Sequence, residues 1–184
     1  MLYLISIYTI MNRSFVLHRI LHWCIGFVIL FILLTVFLRL NWMNKDVMAG
    51  ILSRDLSALG VQITYDDAVK IAKDIRRPMW NTHIYAGYIL TGLFVLKMIL
   101  VLLKGSSFNS PFHPGSSRRK KFQSWVYVFF YFFVSISLLT GLLIEMGSAN
   151  WKASLEAVHS LSLYYIIPFL ALHFFGILFS KIGR

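Results

Sequence analysis

Acidic side chains are scarce in this chain, seven Asp and Glu against eighteen Lys and Arg, and there is one cysteine, Cys24. A lone thiol cannot close an intramolecular disulfide, and without a C-x-x-C-H segment no haem can be attached covalently in the c-type manner. Charge of either sign is thin. Only 14% of the 184 residues are charged while 58% are hydrophobic, which excludes a water-soluble domain, because too little polar surface exists to cover so much apolar side chain. The N-terminal MLYLISIYTI has neither a basic start nor a small-residue cleavage site, so it is not read as a secretory signal. Either MNRSF at Met11 is the true start, or the first ten residues are made and form an apolar extension along the membrane surface.

What is present is apolar length. Four runs, 15–38, 83–103, 122–145 and 157–179, can cross a hydrocarbon core of about 30 Å at about 1.5 Å per residue. The expected fold is all-α: an integral membrane four-helix bundle, one transmembrane domain over 1–184, with a long outer loop (40–80) containing short amphipathic helices. Lys104, Arg118, Arg119, Lys120 and Lys121 crowd a loop without acids, which places that loop in the cytoplasm. Arg13, Arg19, Lys181 and Arg184 agree, so both termini are expected inside, and all seven acids fall in the other two connections. The net charge of +11 is mostly this asymmetry. A basic inner face against anionic lipid accounts for it without nucleic acid.

Two short helices are expected in the outer loop. The first carries Met48, Ile51, Leu52, Leu56 and Leu59 as a stripe, with Asn44 as N-cap and Gly60 as the stop. The second opens on a Thr64/Asp67 capping box, shows Ala68, Ile71, Ala72 and Ile75 on one face, and is expected to end at Pro78. Such stripes mean either a cap on the bundle or interface, or a surface for a partner.

Six histidines remain to be placed. His159 and His173 are fourteen residues apart, about 21 Å and about 3.9 turns, so they share a face of the fourth span at two depths. His22 lies about two turns into the first span, at a depth like that of His173, and His83 opens the second span, level with His159. Two histidine pairs at two depths suit bis-histidine ligation of two b-type haems. Gly26, Gly87 and Gly176 each follow a histidine by about one turn and would let a porphyrin approach the backbone; small residues at helix contacts give the same pattern. The alternative for the histidines is hydrogen bonding between helices. Zinc or di-iron is disfavoured, since no carboxylate lies deep in a span.

RILHW (Arg19–Trp23), HIYAG (His83–Gly87) and the H-x13-H of the last span resemble the bacterial di-haem b-type cytochromes, cytochrome b(561) and its relatives among hydrogenase and formate dehydrogenase cytochrome b subunits. The resemblance covers most of the chain. It implies that His22 and His173 hold an inner haem and His83 and His159 an outer one, with His18 interfacial and His113 solvated in a cytoplasmic loop. The long outer loop departs from the compact quinol-oxidising members, so their route of substrate access is not carried over.

Around these ligands, Lys97 stands fourteen residues after His83 and reaches the inner level, where it either meets a haem propionate or quinone oxygen or snorkels to headgroups. Arg19 has the same two readings. Lys73, Arg76 and Arg77 either place positive charge near the outer haem, holding propionates or attracting an anion such as superoxide, or anchor the interface. Pro168 is expected to kink the helix between His159 and His173. No flavin, nicotinamide or iron–sulfur motif is present, so a two-electron donor other than quinol would belong to another subunit. The resulting expectation is a multi-pass protein of the bacterial inner membrane that passes electrons between the quinone pool and a partner or small oxidant. It would act alone or as the cytochrome b anchor of a larger respiratory complex. The competing expectation is a haem-free structural or assembly subunit.

Overall fold

The computed structural model describes residues 2–104, 115, 117–147 and 149–182. Six helices run α1 (Leu2–Leu40), α2 (Lys45–Ala58), α3 (Tyr65–Lys104), α4 (Arg118–Met146), α5 (Ala149–Ser160) and α6 (Ser162–Ile182). Four stretches are long and apolar enough to cross a membrane: Val16–Leu40, Tyr65–Leu103, Arg118–Met146 and Asn150–Leu178. The all-α membrane class is therefore as the sequence indicates. A bilayer core offers the backbone no hydrogen-bond partner, so apolar runs of this length satisfy their amides internally as helix. His113 lies outside the described residues.

The chain divides into two compact units, Met1–Ile99 and Leu100–Arg184. In the first, α1 runs without interruption from Leu2, so the N-terminal extension is part of the helix and not a separate surface segment. Asn44 caps α2, its side chain accepting from Asp46 N–H at 2.9 Å, and Gly60 at φ +80 ends that helix. Thr64 Oγ1 accepts from Asp67 N–H at 3.1 Å and donates to the Asp67 carboxylate at 2.7 Å. Ala49, Ala68 and Ala72 are buried where α2 meets the start of α3, with Met48, Leu52, Ile63 and Val69 around them. The small side chains let the helices approach closely. The contact thus centres on Ala49, and Ile51, Leu59, Ile71 and Ile75 of the expected stripes are exposed.

Pro78 does not end the second loop helix, which continues as the membrane span within α3. Proline removes one helical bond, freeing the Asp74 carbonyl. Asp74 is exposed and pairs with Arg77 on the same turn, and the helix continues through the proline.

In the second unit, α4 starts at Arg118, earlier than expected, so the basic cluster forms its first turn behind the N-cap Ser117. Four cations oppose the helix dipole there. The last span is two helices, not one, with the break at Leu161. The Ser160 hydroxyl takes the Ala157 carbonyl at 2.7 Å, and Leu161 N–H turns to Val158 O at 3.2 Å. The interruption lies between the two histidines as expected of a kink, but seven residues before Pro168, through which α6 runs unbroken.

Candidate functional site

In the first unit, α1 and α3 are tied at two levels. Near the C-terminal end of α1, Thr35 Oγ1 lies 2.8 Å from His83 Nδ1 and donates to Ile32 O at 2.6 Å. Its single proton is committed to the backbone, so His83 Nδ1 carries the hydrogen of the cross-helix bond. The imidazole lone pair is then on Nε2. Trp80, one turn earlier, stacks on the His83 ring with centroids 4.4 Å apart and planes 7° apart, and Arg39 lies over Trp80, its Cζ 3.8 Å from the ring centroid.

At the other level, Lys97 Nζ lies 3.2 Å from His18 Nδ1. The ammonium has only donors, so His18 accepts. His18 is half-buried and engaged by Lys97, and Lys97 has a protein partner besides the two that sequence suggested. One turn on, His22 is exposed, its ring edge-on to Trp23 at 6.0 Å. Arg19 is also exposed and, with Val16, Ile20, Trp23 and Cys24, lines a groove along α1.

In the second unit, both histidines reach α4. His159 Nδ1 lies 3.0 Å from the Ser137 carbonyl oxygen, which can only accept, and 3.2 Å from Thr140 Oγ1. Nδ1 again carries the proton and Nε2 the lone pair. A Cβ on Gly141 would stand 3.1 Å from His159 Cε1, so this glycine makes room for the ring. Nearer the basic end, Tyr127 Oη lies 3.3 Å from His173 Nδ1. Between these levels Phe130 stacks on Phe169 at 3.7 Å, and Tyr165 Oη donates to Phe133 O at 2.8 Å.

Within each unit no atom comes within 4 Å of where a Cβ on Gly26, Gly87 or Gly176 would stand. Gly50 and Gly92 are equally open, so the space at these glycines is not particular to the histidine levels. Nδ1–H donation that leaves Nε2 as base is the state in which imidazole binds iron. The residues present therefore fit bis-histidine haem. Among the described residues no three His, Cys, Asp or Glu side chains gather as a metal-binding group.

Of the loop cations, Arg76 donates to Met43 O at 3.3 Å and Arg77 pairs with Asp74, while Lys73 is exposed. The cation stacked beside His83 is Arg39, which sequence reasoning passed over with Thr35, Trp80, Tyr127, Thr140 and Gly141. The available signals were slight: a lone threonine in FILLTVFL, and TG in SLLTGLL.

A family model for prokaryotic cytochrome b561 matches residues 15–184. Neither the curated proteins nor the solved structures contain a match.

Proposed function

The chain belongs to the prokaryotic cytochrome b561 family, a multi-pass membrane b-type cytochrome of electron transfer, and from that premise we propose that it holds two haems and exchanges electrons with quinone. His22 and His173 would hold the inner haem, His83 and His159 the outer one.

The supporting observation is a matched spacing within the two units. In the first, His22 and Thr35, the residue that meets His83, are thirteen positions apart on α1. In the second, Tyr127 and Thr140, which meet His173 and His159, are thirteen apart on α4. Each unit thus offers imidazoles at two levels about 20 Å apart along a helix. Lys97 engages His18 Nδ1, which favours His22 over its neighbour one turn away.

Haem b supplies reversible one-electron iron chemistry. The chain binds the iron through Nε2 atoms, fixes their tautomer from Thr35, Ser137 and Thr140, and excludes water with its apolar spans. Both termini and the Arg118–Lys121 cluster face the cytoplasm on this reading. A quinol is the natural membrane-borne donor or acceptor, with a dehydrogenase-type subunit or a small oxidant at the other end of the relay.

The test is a dithionite-reduced minus oxidised spectrum of the purified full chain, with haem quantified against protein. Two b haems per chain are expected, falling by one when any of His22, His83, His159 or His173 becomes Ala. A colourless protein from haem-replete cells would overturn the reading in favour of histidines as interhelical contacts. Purification as a lone, quinol-reactive chain would favour independent action over a subunit role.

A further inference from the structure

We propose that Arg39 and Trp80 are positioning residues for the outer haem: Trp80 fixes the plane of the His83 imidazole, and the Arg39 cation held on Trp80 raises the midpoint potential of the iron bound there. The proposal rests on the reading of His83 as an axial ligand.

Three observations carry it. Trp80 and His83 lie face to face, 4.4 Å between centroids and 7° between planes, so the indole blocks rotation of the imidazole about its Cβ–Cγ bond. Thr35 holds the same ring by its Nδ1 edge at 2.8 Å. With one face and one edge held, the ring has a single orientation. Arg39, in the last turn of α1, is long enough to snorkel outward to headgroups. Instead it is half-buried, its Cζ 3.8 Å over the indole. Arginine is suited to this, because its planar and weakly hydrated cation packs flat on an aromatic ring.

The guanidinium is therefore no farther from the imidazole than those two centroid distances combined. One-electron reduction lowers the charge at a bound iron by one, so a fixed cation nearby favours the reduced state. At a separation of about 8 Å and an effective permittivity near 20, one unit charge changes such an equilibrium by a few tens of fold. Water at the helix end screens part of this, leaving about tenfold, or about 59 mV for one electron.

This setting distinguishes Arg39 from the other cations of the outer segment. Arg54 pairs with Asp55 at 2.8 Å on an exposed turn, Arg77 pairs with Asp74, and Arg76 donates to a backbone oxygen. Arg39 is the cation that lies over the indole covering His83.

The experiment is an optical redox titration of the full chain with haem counted, together with the ferric low-spin electron paramagnetic resonance spectrum, whose g-values follow the angle between axial imidazole planes. Arg39→Gln is expected to keep two haems and lower one midpoint by the equivalent of about tenfold. Arg39→Lys keeps the charge and should restore most of it, while Arg54→Gln leaves both midpoints in place. Trp80→Leu removes the platform, so it should lower the same midpoint and shift the g-values of one haem. Trp80→Phe should preserve them. The Trp80 pair also carries the test if Arg39→Gln fails to fold. Two haems with unchanged midpoints in Arg39→Gln, or unchanged g-values in Trp80→Leu, would overturn the proposal while leaving the di-haem reading intact. A wild-type chain without haem overturns both.

Discussion

Thr35 and His83 are joined across two helices by a bond of 2.8 Å whose direction is set by a third group, the Ile32 carbonyl that takes the threonine's proton at 2.6 Å. Thr35 is buried, 2% exposed, so its bond to His83 is shielded from solvent. A side chain that reads in the sequence as one polar interruption of an apolar run thereby decides which nitrogen of His83 can act as a base.

Thr35→Val keeps the shape and removes the acceptor. On the proposed two-haem arrangement, retention of the outer haem should weaken by roughly 10- to 100-fold, with the inner haem unaffected. Haem per chain, measured after dilution into a haem-binding apoprotein, checks this. Equal loss of both haems would point to general unfolding instead.

Gly141→Ala places a methyl group 3.1 Å from His159 Cε1. The ring must move, and with it the bond to Ser137 O. Outer haem content should fall while the chain stays helical, whereas Gly87→Ala, whose added carbon meets nothing in its unit, probes the space left beside His83. Circular dichroism alongside haem quantification separates loss of ligand from loss of fold.

Lys97 and His18 should be coupled. Lys97→Met and His18→Phe each remove one end of a 3.2 Å contact, and a double-mutant cycle on thermal stability is expected to be non-additive by about 0.5 kcal/mol or more. If Lys97 instead served only a headgroup, the two effects would add.

Asp46 gives a pH prediction outside the membrane spans. Its carboxylate accepts from Lys45 Nζ at 2.6 Å and Tyr65 Oη at 2.8 Å, and these partners hold its pKa below the ordinary 3.8. A carboxyl depressed on folding adds stability above its unfolded pKa and loses it as pH falls through the folded value. Acid should therefore loosen the start of α2 from the start of α3 below about pH 4. Thermal melts between about pH 6 and about pH 3 should show a steeper acid loss in wild type than in Asp46→Asn.

The sequence was most informative where one physical force dominates. Apolar length against bilayer thickness predicted four spans, and side-chain chemistry at Asn44, Thr64 and Asp67 predicted two helix starts that the coordinates contain. It was misleading at Pro78, which looks like a helix end, yet α3 passes through it, while the break at Leu161 lies where the Ser160 hydroxyl donates to the Ala157 carbonyl. Proline removes one bond of a long ladder. Whether the helix stops depends on what else meets the freed oxygen.

By itself, then, the sequence determined the class, the number of spans and the family, because burial in lipid leaves few alternatives for apolar runs of this length. Tertiary structure decided which nitrogen of His83 and His159 carries the proton, which glycine yields to a ring, and which arginine stacks on Trp80. Those outcomes depend on distances between residues far apart in the chain, such as Thr35 and His83 or Ser137 and His159, and no local pattern encodes a distance of 3 Å across a helix pair.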